Sequence, residues 1–524
     1  MKIELVSKGR ILENYDDNIL ASLTNNNIEI SNFCNGRGTC GKCKFKLIAG
    51  DLSEISPEEL NLLSKSEIES GIRLACLSYP KSDIKIAINE NKSDINVLDA
   101  GNIPDFEKNF REGYGVAIDI GTTTLTMNLV DLSTGAILDK TSSLNPQSKY
   151  GLDVMTRINF LYQNPDGISI LKESITKAIE NMIDELIFKN NIEKESLNEI
   201  VVAANTTMLH MLVGADAKSL GVYPYETVFL DGQNIRADDL GLSYEASVYT
   251  LPNVSAFVGS DIVAGVYLTD LKARTDSLFI DIGTNGEIVL NAGGNLYCCS
   301  TAAGPALEGM NIECGMRGES GAIESVKISS DQIEIKTIAG IEPTGICGSG
   351  LLSAVAEIVD KNLVNKRGRI IDPKDLTNED FRKKYIREDD KGKRLILIDE
   401  KNHIYISQND IRQVQLAKGA ILSGFITLLN KEDMEISDLK SVIIAGGFGS
   451  HLKKEDIIGV GILPKEAEAL IEYVGNSSLV GAYMALMNDQ IKEGMKDLAK
   501  QIEYIELSTS KGYDRVFAKS MQFK

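Results

Sequence analysis

One short glycine motif occurs twice in this chain, and each copy follows a run of apolar residues. The segment "GVAIDIGTTTLTMNLVDL" carries the first copy at residues 119–122, and "LFIDIGTNGEIVLNA" carries the second at residues 281–284. Apolar stretches on both sides of a glycine turn are typical of a strand, a tight turn and a second strand. One copy could arise by chance, whereas two copies in the same setting predict a duplicated domain with two similar lobes.

The chemistry of the repeated motif indicates phosphate binding. Glycine at the tip lets backbone N–H groups approach a phosphate, and the hydroxyls that follow can donate to it. We expect Asp119 and Asp281 to face each other across a cleft as the catalytic residues, each holding the water shell of a Mg²⁺ ion. The predicted phosphate contacts are Gly121, Thr122, Thr123, Thr124, Gly283, Thr284, Asn285 and Gly286. Asp and Gly are also common turn formers, so a purely structural role is the alternative.

Three later segments extend this pattern. In "SVIIAGGFGSHL", at 441–452, an apolar strand runs into Gly446, Gly447 and Gly449, where absent side chains would let a flat adenosine lie against the backbone. In "GICGSGLLSAVAEIV", at 345–359, Gly348 and Gly350 open a helix whose N-terminal N–H groups suit an anionic ligand. The segment 475–487 carries small residues along a helix, which predicts close helix packing.

A cysteine group near the N-terminus indicates metal or redox chemistry. Cys34, Cys40 and Cys43 lie in "SNFCNGRGTCGKCKFKL", and Cys76 follows as a distant fourth thiol. This arrangement is close to the plant-type spacing for a [2Fe-2S] cluster. The alternatives are a structural zinc site, which usually uses two short-spaced pairs, and a coincidence of packing cysteines. We therefore predict four cluster ligands and a role in electron transfer.

Composition restricts the partners of this chain. Its 524 residues are 43% hydrophobic and carry a net charge of −20, with no basic run long enough to neutralise a nucleic-acid backbone. Nowhere do enough apolar residues run together to span a membrane. We expect a cytoplasmic protein that binds small ligands and proteins rather than nucleic acid or membrane.

The same features divide the chain. We predict a ferredoxin-like domain over 1–89, a polar linker over 90–112 and a duplicated domain over 113–524. The lobes of the duplicated domain should cover 113–275 and 276–524, and a C-terminal helix could cross back to the first lobe.

The order of these segments resembles two known architectures. The N-terminal strands, helix and cysteine loop resemble an α+β β-grasp ferredoxin. Two phosphate loops, an adenosine loop and a small-residue helix, in that order, resemble the α/β actin-like superfamily (ASKHA, a duplicated ribonuclease-H-like fold), whose lobes close on ATP. Three stretches narrow the choice: "VVAANTTMLHML", "CSTAAGPALEGMNIECGMRGESGAI" and "TGICGSGLL" look like the reductive activators of corrinoid proteins.

This family resemblance implies a function. Such proteins are ATPases that return a corrinoid methyltransferase partner from inactive Co(II) to methyl-accepting Co(I), as in anaerobic methyl transfer. The implied cofactors are a [2Fe-2S] cluster, ATP and Mg²⁺, and the implied partners are a corrinoid protein and a low-potential electron donor, with a homodimer as an open alternative. We further expect Ser300, in a segment of small residues, to lie near the corrin.

Two other functions compete with this hypothesis. A small-molecule kinase of the sugar type shares the fold but needs a carboxylate base beside its substrate hydroxyl, and the chain shows no sugar-binding constellation. The second is an ATP-dependent activator that donates electrons to another metalloenzyme.

Overall fold

The computed structural model describes all residues except 7–8, 14–16, 27, 29, 31–35, 37, 39–40, 64, 89–100, 390–391, 448 and 524. The described residues fall into two compact units, one containing residues 1–88 and 148–152 and the other containing 101–147 and 153–523. No helix within the described ranges combines the length and apolar character that a membrane span requires.

The N-terminal unit is a mixed five-stranded sheet with three short helices. Its elements are β1 (Lys2–Leu5), β2 (Arg10–Glu13), α1 (Ile19–Asn25), β3 (Lys44–Ala49), α2 (Pro57–Leu62), α3 (Lys65–Glu69), β4 (Ile72–Leu74) and β5 (Ile84–Ile88). The strand order is β2-β1-β5-β3-β4, with β1 and β5 parallel and the other pairs antiparallel. Helix α1 begins where the Asn18 side chain accepts from the Ala21 N–H, and it buries Leu20 and Leu23. The β-grasp prediction is confirmed.

The first lobe of the larger unit is built on a six-stranded sheet. Its elements are β6 (Tyr114–Ile120), β7 (Thr124–Asp131), β8 (Ala136–Leu144), α4 (Val154–Gln163), α5 (Gly167–Lys189), β9 (Leu197–Ala204), α6 (Thr206–Val213), β10 (Asn234–Arg236), α7 (Ala237–Leu240), β11 (Ser247–Thr250) and α8 (Ser260–Leu268). The strand order is β10-β11-β9-β6-β7-β8.

The second lobe is larger. Its elements are β12 (Ser277–Ile282), β13 (Gly286–Ala292), β14 (Asn295–Thr301), β15 (Ala322–Ile328), β16 (Ile333–Thr337), β17 (Gly345–Ile346), α9 (Gly348–Asp360), β18 (Ile386–Glu388), β19 (Arg394–Asp399), β20 (Ile404–Ser407), α10 (Gln408–Lys431), β21 (Ser441–Ala445), α11 (Lys454–Val460), β22 (Ile471–Gly475), α12 (Ser477–Met487), α13 (Asp489–Ala499), β23 (Ile502–Tyr504) and α14 (Tyr513–Ser520). Its main sheet runs β22-β21-β12-β13-β14-β23, and β15–β17 and β18–β20 form two small sheets.

The two main sheets share one topology. In each, three consecutive strands form an antiparallel meander, β6-β7-β8 and β12-β13-β14. In each, the first strand of the meander also pairs in parallel with a later strand, β9 or β21. The two glycine motifs occupy the same turn, between the first and second strands of each meander. The predicted duplicated, actin-like fold is confirmed.

Helices α8 and α12 pack closely because small residues line their contact. A Cβ added at Gly481 would lie 2.5 Å from the Ala264 Cβ. A larger side chain at position 481 would therefore keep the two helix backbones from coming this close. Helix α12 also packs on β6 and β9 of the first lobe, although it follows β22 of the second. The chain therefore crosses to the first lobe in α12 and returns to the second sheet in β23, beside β14.

Residues 101–112, predicted as the end of the linker, pack on the end of α12. The Phe106 ring meets Tyr483 edge-on, with 5.8 Å between centroids. The Asn109 N–H donates to the Met487 carbonyl at 2.7 Å. Arg111 donates to the Leu486 carbonyl at 2.7 Å. This part of the predicted linker therefore belongs to the larger unit.

Candidate functional sites

The first glycine hairpin joins β6 to β7 and places Asp119 at the end of β6. The Gly121 N–H donates to the Thr124 carbonyl at 2.9 Å, and a Cβ at position 121 would lie 2.8 Å from that oxygen. Glycine is thus required for the tightness of the turn. Asp119 accepts hydrogen bonds of 2.9 Å from the Asn476 amide and the Ser478 hydroxyl, both at the start of α12.

These hydrogen bonds hold the Asp119 carboxylate in place, but they do not fully offset the effect of burial on its pKa. Burial raises the pKa of Asp119, and the hydrogen bonds from Asn476 and Ser478 lower it by less than burial raises it. Asp119 therefore sits in a low-dielectric position that favours a nearby positive charge.

The second glycine hairpin joins β12 to β13 and places Asp281 directly across from Glu287. Burial, with the charges of Asp119 and Glu308, raises the pKa of Asp281 to about 7. The Ser300 hydroxyl on β14 donates to Glu287 at 3.1 Å. Burial and neighbouring carboxylates still raise the pKa of Glu287 well above its usual range.

Glu308 connects the two hairpins from a short 3₁₀-helix, Pro305–Glu308. One carboxylate oxygen accepts from the Thr284 hydroxyl at 2.9 Å, and the other accepts from the Thr123 hydroxyl at 3.4 Å. Burial raises the pKa of Glu308, although both hydrogen bonds act to lower it. The two predicted phosphate loops therefore meet at one carboxylate.

Asp261 completes the acidic lining from the first turn of α8. Burial, with the charges of Asp281 and Asp119, raises the pKa of Asp261 to about 8. Neither Asp261 nor Glu308 belonged to the sequence-predicted site. In the sequence, Asp261 is marked only by a Ser-Asp pair at the start of an apolar helix, and Glu308 is marked only by its place between two glycine turns. Both features are common in structural roles.

The carboxylates of the acidic lining oppose one another. Burial and the charges of Asp119 and Glu308 raise the pKa of Asp281, and like charges directly across a β-ladder are unfavourable. Among the described residues, no group of three or more His, Cys, Asp or Glu side chains is arranged to ligate a metal directly. Mg²⁺ keeps several waters when it is bound with nucleotide phosphates, so Asp119 and Asp281 would hold it through those waters.

The predicted adenosine loop lies next to the second aspartate. Gly446 follows β21 at a φ of +94°, and a Cβ there would lie 2.7 Å from Asp281 Oδ1. Gly447 and Gly449 follow in the same loop. Gly350 in α9 has a packing reason, because a Cβ there would lie 1.9 Å from the Ile323 carbonyl oxygen. Gly348 is the first residue of the same helix, as predicted.

In the N-terminal unit, two of the four predicted cluster ligands come together. The sulfur atoms of Cys43 and Cys76 are 3.3 Å apart and both side chains are buried. Cys34 and Cys40 lie outside the described residues. Gly38 has a φ of +69°, and a Cβ there would lie 2.9 Å from a Leu77 methyl. Two buried thiols this close together fit cysteines that bind one cluster.

A buried ion pair supports the strand before Cys76. Arg73 on β4 donates to Glu59 at 2.8 and 3.0 Å, and Glu59 is fully buried. The Leu74 N–H donates to the same carboxylate at 3.0 Å. Burial alone would raise the pKa of Glu59, but these hydrogen bonds lower it below its usual value. This pair was not predicted from the sequence.

Together, the fold and the two sites define an ASKHA-type body carried on the same chain as a ferredoxin-type domain. Three family models match consecutive parts of the chain. The 2Fe-2S iron-sulfur cluster binding domain matches residues 4–81, the RACo middle region matches 114–274, and the C-terminal ASKHA domain of RACo matches 275–524.

Several known proteins resemble most of the chain. The corrinoid activation enzyme RamQ of Eubacterium limosum is 31% identical over 446 residues, covering 83% of this chain and 75% of RamQ. The Co(II) methylated amine-specific corrinoid protein reductase of Methanosarcina barkeri is 25% identical, covering 77% and 76%. A solved structure titled reductive activator for a corrinoid, iron-sulfur protein aligns with a TM-score of 0.70 at 30% identity, covering 100% and 98%. The chain belongs to the family of reductive activators of corrinoid proteins.

Proposed function

We propose that this protein uses ATP to reduce the cobalt of a corrinoid protein from Co(II) to Co(I) by one electron. The observation that carries the proposal is that one chain holds both a cysteine loop of ferredoxin type and a two-lobed nucleotide cleft. Relatives spanning three quarters or more of the chain are named for corrinoid activation or corrinoid reduction. The partner is a corrinoid protein of a methyltransferase system, and the electron comes from a low-potential donor.

The cysteine loop would bind the electron carrier. When bound, a [2Fe-2S] cluster accepts and gives up one electron at a time. Cys34, Cys40, Cys43 and Cys76 are its proposed ligands. The Glu59 to Arg73 ion pair holds the strand that leads to Cys76.

The nucleotide cleft would supply the driving force that an electron carrier alone lacks. Each ~100 mV of uphill one-electron transfer costs about 2.3 kcal/mol. ATP can meet that cost only if its binding and hydrolysis favour one conformation over another. The cleft suits this role because Glu308 accepts hydrogen bonds from the hairpins of both lobes, so a polyphosphate entering between the hairpins must replace or rearrange those bonds.

The residues of the cleft have distinct proposed roles. Asp119 and Asp281 orient the waters around Mg²⁺, and the N–H groups and hydroxyls of the two glycine hairpins bind the phosphates. Asn476 and Ser478 hold Asp119 in place from the first turn of α12. Movement of Asp119 would therefore be passed to α12, the helix on which residues 101–112 rest.

The proposal is tested with the protein purified without oxygen and mixed with its cognate corrinoid protein in the Co(II) state. A low-potential reductant is present in every sample, and the absorbance of Co(I) is followed with ATP, with ADP and without nucleotide. We expect Co(I) to form only with ATP. Equal rates in all three samples would refute ATP-dependent activation.

The two alternatives predict other outcomes. A sugar-type kinase would transfer phosphate from ATP to an added sugar, and this hypothesis has less support because the relatives that span most of the chain are named for corrinoid activation. An activator of another metalloenzyme would hydrolyse ATP and carry a cluster but would leave the corrinoid protein unreduced.

A further inference from the structure

Three consecutive carbonyl groups at the tip of the first glycine hairpin each accept a hydrogen bond from a buried group. Asn145 supplies two of these bonds: its side-chain amide donates to the Gly121 carbonyl at 2.8 Å, and its backbone N–H donates to the Thr123 carbonyl at 2.8 Å. Arg157 supplies the third, from Nη2 to the Thr122 carbonyl. A trans peptide group points its C=O and N–H in opposite directions, so these bonds turn the following N–H groups away from the buried side.

Arg157 is the charged member of this buried group. It lies on α4, is fully buried, and also donates to the Gln147 side-chain oxygen at 3.3 Å and to the Met208 sulfur at 3.0 Å. Burial lowers the pKa of the Arg157 guanidinium to about 9, against a smaller opposing effect of Asp153. The group therefore remains positively charged at neutral pH.

The position of this charge matters because the described cleft is acidic. Asp119, Asp261, Asp281, Glu287 and Glu308 all raise the cost of bringing in a polyphosphate. A guanidinium bonded to the Thr122 carbonyl polarises the peptide group between Thr122 and Thr123, and hydrogen bonds in such a chain strengthen one another.

We propose that Arg157 is a positioning residue for the nucleotide phosphates, acting through the peptide group between Thr122 and Thr123. The guanidinium fixes that peptide with its N–H available to a phosphate and increases the positive character of the N–H. This inference rests on the proposed function, since it requires that the cleft bind ATP. It goes further by assigning phosphate recognition to a residue that contacts no ligand itself.

The test compares affinities for a triphosphate and a monophosphate. Kd values for MgATP and for AMP are measured by calorimetry with the full chain, for wild type, Arg157→Met and Arg157→Lys. We expect Arg157→Met to weaken MgATP binding at least tenfold and AMP binding less than threefold. Arg157→Lys, which keeps the charge and one donor, should recover part of the MgATP affinity.

A matched control replaces another buried cation that donates to backbone carbonyls. Lys418 on α10 is 1% exposed and donates to the carbonyls of Ser520 and Gln522 at 2.8 and 2.7 Å. We expect Lys418→Met to lower the melting temperature while leaving the ratio of AMP to MgATP Kd values unchanged. If Arg157 has only a structural role, Arg157→Met should likewise lower the melting temperature and leave the ratio of AMP to MgATP Kd values unchanged.

The outcomes separate this inference from the proposed function. If wild type does not bind MgATP, the proposed function fails. If wild type binds MgATP but the Kd ratio is lowered less than threefold in folded Arg157→Met, the inference is overturned. Should Arg157→Met not fold, Arg157→Gln, which removes the charge and keeps a donor, decides: a ratio lowered at least threefold supports the inference, and any smaller change overturns it.

Discussion

Thr284 donates a 2.9 Å hydrogen bond to Glu308, and the second oxygen of the same carboxylate accepts from Thr123 of the other hairpin. Each bond uses a hydroxyl that the sequence assigns to phosphate. Glu308 therefore links the two hairpins in this structure. In the proposed function, a phosphate would compete with the Glu308 carboxylate for the same two donors.

Replacing Glu308 with Gln should strengthen ATP binding when Mg²⁺ is absent. The substitution keeps the shape but removes one negative charge beside the phosphates, and charges about 4 Å apart interact by about 1 kcal/mol even in water. We expect the Kd for ATP in the presence of a chelator at pH 8 to fall about fivefold. Glu334→Gln on the exposed face of β16 makes the same charge change and should have no effect. Unchanged or weaker binding by Glu308→Gln would contradict the competition.

Asp281→Asn should remove ATP hydrolysis and leave the visible spectrum of the cluster unchanged. Asp281 is a proposed holder of hydrated Mg²⁺, and removing one preorganised group that stabilises the transition state electrostatically costs about 10² to 10³ in rate. Asp119→Ala should have the same effect because it also disconnects Asn476 and Ser478. Phosphate release is measured with and without the corrinoid partner. Wild-type hydrolysis in both variants would mean that the glycine hairpins are structural turns only.

Which residues of this site could be predicted from the sequence depends on how far apart along the chain the contacting residues lie. Asp119, Asp281 and the hairpin glycines could be proposed from the sequence because strand, turn and strand are contiguous and the pattern repeats. Arg157 and Glu308 were missed because each reaches the hairpins only after the sheet has formed. A single Arg in a helix or a single Glu in a turn has no local signal of that contact.

In the N-terminal unit, too, only contacts marked by a specific spacing could be predicted from the sequence. Cys43 and Cys76 were grouped correctly because thiols are few and their spacing is specific, and the structure brings their sulfur atoms to 3.3 Å. The Glu59 to Arg73 pair was missed because both residues are usually exposed. The packing of residues 101–112 was missed because their polar composition hides the insertion of Phe106 against Tyr483.

Cys43→Ser should abolish iron binding without unfolding the larger unit. The wild-type protein, purified without oxygen, is expected to carry two irons and two sulfides per chain, the content of a [2Fe-2S] cluster. Cys298→Ser is the matched control, since Cys298 is a buried thiol on β14 outside the cysteine loop. Iron, sulfide and zinc are measured chemically. Stoichiometric zinc without visible absorbance in wild type would favour the structural zinc alternative.

His210 should make the stability of the larger unit depend on pH. Its Nε2 accepts from the Val228 N–H at 3.1 Å, so the buried ring is neutral and its Nδ1–H donates to the Thr206 carbonyl at 2.8 Å. Burial lowers the pKa of His210 below 6.5, and the Thr206 bond only partly opposes this. The unfolded chain then binds more protons than the folded chain. The contribution of His210 to the free energy of unfolding is therefore fully present above pH 6.5 and is lost as pH falls below it.

Urea unfolding from pH 8 to pH 5 measures this dependence. We expect the free energy of unfolding to fall over the acidic half of that range, because the unfolded chain takes up a proton at His210 that the folded chain disfavours. In His210→Phe, the free energy of unfolding should fall less over this pH range than in wild type. His403→Asn, at an exposed position with a φ of +53° that Asn tolerates, should retain the wild-type decline. Equal slopes in wild type and His210→Phe would exclude His210 as the cause.

Ser300 remains the predicted corrin contact, and its position in the structure sharpens the test. Its hydroxyl donates to Glu287, which lies directly across from Asp281, so a substitution at this position could act on the corrin or on the acidic cleft. Ser300→Leu adds bulk and removes the hydrogen bond, whereas Ser300→Ala only removes it. Comparing the two variants separates the effects.

We expect Ser300→Leu to lose ATP-dependent formation of Co(I) and Ser300→Ala to retain most of it, because only the larger side chain would keep a flat corrin from the backbone. The absorbance of Co(I) is followed with the cognate corrinoid protein and a low-potential reductant, and ATP hydrolysis is measured in the same samples. If both variants lose hydrolysis and reduction together, Ser300 acts through Glu287. If Ser300→Leu reduces cobalt at the wild-type rate, this segment does not meet the corrin.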